Sequence, residues 1–248
     1  MKAKRILQIV FLTLAVVLVI GYWIGSLVWV HTQQKDGVCN AVEMQLLDED
    51  QRQYVTKNEL AQMLQAKGIY PVGKRINSVL TDSIERTLEH HPMIRTAECY
   101  LTTDDNMRIL LTQRVPVVKV STETETYYVD TDHRLMPARA AITTPTLVVS
   151  GRVGPRMASE EIADFAIWLQ SNKYWRERIK HIDVRSKRDI VLLRQDIHGT
   201  LMPVRLGELH DYEKKLDKLR IFMENEVPDQ PQYREIDLRY KDQVIGRK

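Results

Sequence analysis

Hydrophobic residues run along this chain in three rhythms, and each predicts a different kind of element. The first is an unbroken run. From Ile6 to Val30 there is no charge, and the polar members are Gln8, Thr13 and Ser26. At about 1.5 Å per residue a helix over that stretch is roughly 37 Å long, enough to cross a bilayer core of about 30 Å with some tilt. Tyr22, Trp23 and Trp29 gather towards its far end, where aromatic rings suit a membrane interface. A cleaved signal peptide has a shorter apolar core and small residues before its cleavage site, where this chain has Leu27-Val28-Trp29. A buried helix of a soluble protein shows a polar face, and this run has none. The pattern predicts a membrane span over residues 6–30. Lys2, Lys4 and Arg5 precede it without an acid, whereas His31 to Asp36 is nearly balanced. The positive-inside rule then keeps residues 1–5 as a cytoplasmic tail and exports His31 to Lys248.

Helical spacing and strand alternation share the rest. Val38 to Leu47 reads as a strand with imperfect alternation. Thr56-Lys57-Asn58-Glu59 matches a capping box, with Leu60, Met63 and Leu64 as the apolar stripe and Gly68 as the stop. A second helix is predicted from Ile76 to Glu89, with Val79, Leu80, Ile84 and Leu88 on one face and Pro92 ending it. Ile94 to Thr102 and Met107 to Thr112 follow as strands around a turn at Thr103-Asp104-Asp105-Asn106, where Asp and Asn tolerate the left-handed backbone. Strand, helix, helix, strand, strand makes a compact α+β unit over residues 38–115.

Residues 116–248 are richer in short strands. Val117 to Val120, Thr126 to Val129, Arg134 to Met136 and Thr146 to Val149 come first, with a turn at Asp130-Thr131-Asp132-His133. Ser159 is placed to cap a helix running to about Asn172, with Ile162, Phe165, Ala166 and Leu169 inward. Ile179 to Val184, Ile190 to Arg194 and Met202 to Leu206 are strands, with a turn at His198-Gly199-Thr200 before the last. Leu209 to Met223 spaces Tyr212, Leu216, Leu219 and Met223 as a helix stripe. After Pro228 and Pro231, Arg234 to Tyr240 is the predicted final strand, with Ile236 and Leu238 on one side.

Charge and cysteine change the picture little. The 36 basic and 33 acidic residues leave a formal charge of +3, which is the cytoplasmic tail, so the exported part is neutral. That balance, without a Lys/Arg run among aromatics, excludes a nucleic-acid surface. Two cysteines outside the cytoplasm can pair, and Cys39 and Cys99 each suit a small apolar strand position equally well.

Candidate chemistry is sparse. Asp130, Asp132 and His133 supply acid, base and metal-ligand types, but a turn rich in Asp is the ordinary way to reverse a strand. His90-His91 closes a helix without the i, i+4 spacing of a metal pair. Glu160-Glu161 opens a helix, where carboxylates suit the dipole and adjacent side chains point apart. GxSxG, HExxH and phosphate-loop patterns are missing. The expectation is a protein that is not an enzyme, with no cofactor, metal or small-molecule substrate.

Several local patterns, in this order, resemble the FtsQ/DivIB family of bacterial cell-division proteins. His91-Pro92-Met93-Ile94 before Ala97 is similar to the family's helix-to-strand corner, and Arg114-Val115-Pro116-Val117 to its domain junction. Tyr127-Tyr128-Val129-Asp130 resembles the opening of its β domain. Pro145-Thr146-Leu147 with Gly151, and Arg205-Leu206-Gly207 before a helix, fall in their expected places. Ile236-Asp237-Leu238-Arg239-Tyr240 resembles its closing strand. Met93 in place of a Trp and His133 in place of a turn Gly mark a divergent member.

The resemblance implies a cytoplasmic tail (1–5), a transmembrane helix (6–30), a POTRA domain (38–115) and a β domain (116–248) ending in an exposed edge strand. It implies a non-enzymatic scaffold of the divisome, in the inner membrane at the division septum, with its C-terminal domain periplasmic. Its partners would be small single-span coiled-coil proteins of the FtsB and FtsL types, held by strand addition, with other divisome members at the POTRA domain. Tyr240 matches the tyrosine of the family's partner-binding strand, and Arg239, Lys241, Asp242, Gln243, Val244 and Ile245 are the expected neighbours. The competing reading is a POTRA-containing component of secretion or outer-membrane assembly.

Overall fold

The computed structural model of the 248-residue chain describes residues 14–26, 37–144, 146–195, 200–225, 233–241 and 243–247. Residues 14–26 form helix α1, whose Leu14, Val17, Leu18 and Trp23 are exposed. Among the described residues no helix is long and apolar enough to cross a membrane. Residues 6–13 and 27–30 of the predicted span lie outside them, as do His198, Gly199, Pro228, Pro231 and Asp242.

The first folded unit is a three-stranded sheet covered by two helices. Its strands are β1 (Val42–Leu46), β2 (Ile94–Leu101) and β3 (Met107–Gln113), in the order β1-β3-β2. β1 runs parallel to β3, and β2 antiparallel to it. Helix α2 (Lys57–Ala66) starts because Thr56 is extended and its hydroxyl accepts the Glu59 amide at 3.2 Å. Only half of the expected capping box forms, since the Glu59 carboxylate turns to Arg139 instead.

Leu60 and Leu64 on α2, with Ile84 and Leu88 on α3 (Thr81–Glu89), lie one helical turn apart and are completely or almost completely buried. They meet Met107, Ile109 and Leu111, the alternate inward positions of β3. Burying each such side chain contributes about 1.5–3 kcal/mol, and truncating Leu64 to alanine costs about 2–5 kcal/mol.

The predicted helix from Ile76 is shorter than expected. A 3₁₀ turn at Ile76–Ser78 is followed by extended Val79 and Leu80, and α3 begins only at Thr81. Ser78 bonds back to the Arg75 carbonyl (2.7 Å), as a residue that competes for backbone partners does. The first strand is shorter too: Val38 makes only an isolated bridge to Arg75.

The second unit is a nine-stranded mixed sheet, ordered β12-β11-β10-β9-β8-β7-β4-β5-β6. Its strands are β4 (Pro116–Ser121), β5 (Thr126–Asp130), β6 (Leu135–Pro137), β7 (Leu147–Gly151), β8 (Ile179–Ser186), β9 (Asp189–Gln195), β10 (Leu201–Gly207), β11 (Glu235–Asp237) and β12 (Ile245–Arg247). Helix α4 (Pro155–Met157) continues through a π-turn (Ala158–Ile162) into α5 (Ala163–Ser171); α6 (Lys173–Arg178) and α7 (Tyr212–Asn225) follow. The start differs from the predicted Ser159 cap. Pro155, with its fixed φ and no N–H to leave unpaired, takes the first position after Gly154, and Ser159 lies inside the π-turn bonded to the Arg156 carbonyl. Phe165, Ala166 and Leu169 of α5 and Leu216 and Leu219 of α7 close over the sheet, joined by Phe165, Trp168 and Tyr212 at ring separations of 5.0–6.0 Å.

The two units share apolar and polar contacts. Tyr128, Met136 and Ile142 pack into the core of the first unit, not the second. Buried Arg114 donates to buried Asp130 at 2.8 Å, and Arg95 makes two bonds of 2.8 Å to Asp132. The Tyr54 and Thr144 hydroxyls are hydrogen-bonded, and Arg139 donates to both the Glu59 carboxylate and the Tyr54 carbonyl.

Candidate functional site

The region predicted to carry partner contacts is the last edge of the large sheet, and its geometry differs from the prediction. The closing strand does not run to Tyr240. β11 ends at Asp237 because Asp237, fully buried, turns its carboxylate onto the Arg239 amide (3.1 Å) and guanidinium (2.6–3.2 Å). An Asp bonding to the backbone two residues on is a turn former, and it peels the chain off the sheet. Leu238 still donates to the Arg205 carbonyl at 2.8 Å. Tyr240 therefore stands in the bend between β11 and β12, 52% exposed, outside any strand.

The chain then returns as β12, antiparallel to β11 with Glu235↔Arg247, Ile236↔Gly246 and Asp237↔Ile245. β11 is itself parallel to β10, so β12 and not the Tyr240 segment is the edge. Among the predicted contact residues, Ile245 lies on that edge and Val244 packs against the core, while Arg239, Lys241 and Gln243 are exposed on the connecting bend. Asp242 lies outside the described residues.

Two glycines permit this arrangement. Gly207, at φ +79°, closes β10 beneath Arg239, whose Cγ stands 2.9 Å from where a side chain would begin. Gly246 lies flat on the Tyr233 ring, where an added Cβ would come within 2.3 Å. Tyr233 in turn packs on Phe222 of α7 at 5.7 Å. The edge is thus propped on an aromatic pair.

Charge follows the same line: Arg205 pairs with Asp189 (2.9 Å), and Arg247 approaches Glu235 (3.8 Å) and Asp237 (4.0 Å). The Arg239 guanidinium beside Asp237 holds its carboxyl below the usual carboxylate range, although burial opposes this. Sequence reasoning missed Gly246 and Arg247. A three-residue strand shows no period, and Ile245 was the only apolar signal.

The candidate catalytic groups sit in structural roles. Asp130 accepts the Asp132 and Arg134 amides and pairs with Arg114, and His133 takes the left-handed turn position at φ +64°. His91 is buried, accepting the Met93 amide at Nδ1, with Nε2 3.4 Å from Glu59. Burial holds its ring below the ordinary imidazole range against the pull of Glu59. Glu160 pairs with Arg156 and Glu161 with Lys187. Cys39 and Cys99 are free thiols. Among the described residues no cluster of His, Cys, Asp and Glu converges to hold a metal.

A family model described as FtsQ/DivIB, C-terminal related, matches residues 115–247, and a POTRA-like domain matches residues 37–112. No curated protein matches the chain. Both matched domains come from non-catalytic families, and together they support a divisome-type scaffold with protein partners in cell division. The first match covers more than half of the sequence, and the chain belongs to the FtsQ/DivIB family.

Proposed function

We propose that this protein is a non-enzymatic bitopic membrane scaffold of the divisome. Residues 6–30 anchor it in the inner membrane with the N-terminus cytoplasmic, and the folded units lie on the periplasmic side at the septum. Its partners are small single-span coiled-coil division proteins of the FtsB and FtsL types.

The observation that carries this reading is the β12 edge. An antiparallel edge strand turns half of its N–H and C=O groups away from its neighbour, and an extended partner segment adds to them as a further strand. β12 is short and propped from below, and Arg247 at its end favours an acidic residue opposite. Exposed Tyr240, with exposed Arg239, Lys241 and Gln243, supplies the side-chain contacts beside it.

The test is capture of membrane partners by the tagged full chain, wild type beside Tyr240→Ala. Truncating an anchor of a strand-addition interface costs about 2 kcal/mol or more, about thirtyfold in affinity. Small coiled-coil division proteins should come down with the wild type and fade with the variant, at unchanged melting temperature. Equal capture by both removes Tyr240 from the site. Capture of secretion or outer-membrane assembly components instead overturns the scaffold reading.

A further inference from the structure

The loop after α2 is fastened to the first described residues that follow the apolar run. The Cys39 amide donates to the Lys74 carbonyl, the Gly73 amide to the Cys39 carbonyl and the Ile76 amide to the Gly37 carbonyl, each at 2.9 Å. Val38 also bridges Arg75. Wherever Gly37 is held, residues 73–76 are held beside it.

Sequence distance then sets their height. Val30 ends the apolar run and Gly37 is seven positions on. An extended chain advances at most about 3.5 Å per residue, which places Gly37 within about 25 Å of the end of the span.

The loop's own shape points outward. Lys74 donates to the Pro71 carbonyl at 3.0 Å, and Gly73 has φ +80°, the glycine-favouring third position of a type II turn. Val72 is therefore at the tip, 41% exposed, and neighbouring Val38 is 44% exposed. From Leu60 to Thr81 the chain contains no acid, while it carries Lys67, Lys74 and Arg75. Lys67 and Arg75 are exposed and have no acidic partner among the described residues. Lys74 reaches back to the Gly68 carbonyl. Asp105 of the β2–β3 turn faces Gly37, so the surface is mixed, with the cations on the loop.

We propose that the Pro71–Arg75 turn rests on an anionic bilayer surface, Val72 and Val38 entering the interfacial layer and Lys67 and Arg75 facing lipid phosphates. This rests on the reading of residues 6–30 as a span. Apolar tips rimmed by Lys and Arg bind such interfaces through both terms. The contact would fix the tilt of the first unit above the membrane.

The experiment uses the full chain in nanodiscs of phosphatidylcholine, with or without phosphatidylglycerol, carrying an environment-sensitive fluorophore at Val72→Cys or at Leu201→Cys. Leu201 is an exposed control on β10. Cys39 is buried and the Cys99 thiol is pushed up to about 12, so both label slowly.

Doxyl-lipid quenching at Val72 should exceed that at Leu201 by about twofold or more in anionic discs, and fall with added salt or with Lys67→Glu and Arg75→Glu together. Equal quenching at the two positions, or no dependence on phosphatidylglycerol, overturns the proposal. Carbonate extraction of the unlabelled chain reports on the span separately. Retention with unquenched Val72 defeats the loop contact alone, and release defeats both readings.

Discussion

The two sheets end in edges that are treated in opposite ways. On the small sheet, β2 is an edge, yet two of its outward amides are occupied: Glu85 accepts the Cys99 amide at 2.7 Å, and Glu89 accepts the Ala97 amide at 3.4 Å. The spacing makes this possible. Four residues along a helix advance about 6 Å, and two along a strand advance about 6.7 Å, so one face of α3 matches the outward amides of β2. On the large sheet, β12 has no such cover among the described residues. The chain therefore has a means of covering an edge with its own carboxylates, and among the described residues it uses it on β2 and not on β12. Short length is the remaining protection of β12 against unwanted pairing.

Four measurements break or sharpen that contrast. The largest effect is expected from Gly246→Val, whose Cβ would start 2.3 Å from the Tyr233 ring and push β12 off the sheet. Partner capture should drop about thirtyfold or more, while the small sheet keeps its hydrogen-exchange protection. Unchanged capture would show that β12 is not the binding edge.

Next is Glu85→Ala with Glu89→Ala, which strips the cover from β2. Two unpaired amides cost about 1–3 kcal/mol each at most, less where water replaces the carboxylate, and sedimentation velocity should show concentration-dependent self-association. A monomer of wild-type stability would mean the carboxylates do not guard the edge.

Asp237→Asn tests what separates β11 from its bend. The folded carboxyl lies below its unfolded value, so its stabilisation is present above the ordinary carboxylate range and is lost as pH falls through the folded value. Arg239 is a third exposed, which holds the effect to about 1 kcal/mol at neutral pH. Chemical denaturation at pH 7 and pH 3 should find a wild-type advantage at pH 7 that is smaller at pH 3.

The smallest effect is at Cys99. Burial, then the Glu85 charge, pushes the thiol up to about 12. Because burial is the larger cause, Glu85→Ala should speed alkylation at pH 8 by only about threefold, read by mass spectrometry. A far larger rise would report that β2 has come away from α3.

What the sequence revealed follows from where each signal is stored. The stripes Leu60/Leu64 and Ile84/Leu88 and the alternation of Met107, Ile109 and Leu111 are local periodicities, and they identified the inward faces of α2, α3 and β3. The Asp105 and His133 turns were legible because their neighbours are turn formers, and both residues have positive φ. Ser159 misled because a residue that suits a cap also tolerates a helix interior bonded to its own backbone. Tyr240 read as strand because Ile236 and Leu238 alternate, whereas the bend is set by Asp237 folding back on Arg239. The Glu85 and Glu89 bonds join residues 14 and 8 positions apart, and no pattern within either element announces them.

The core shared between the units has a consequence for exchange. The family models divide the chain near residues 112–115, but Tyr128, Met136 and Ile142 contribute side chains across that division. A graft cut there would leave a hydrophobic socket on one fragment and three greasy plugs on the other. The units match separate family models yet share packing, so a working chimera must carry its neighbour's plugs with it.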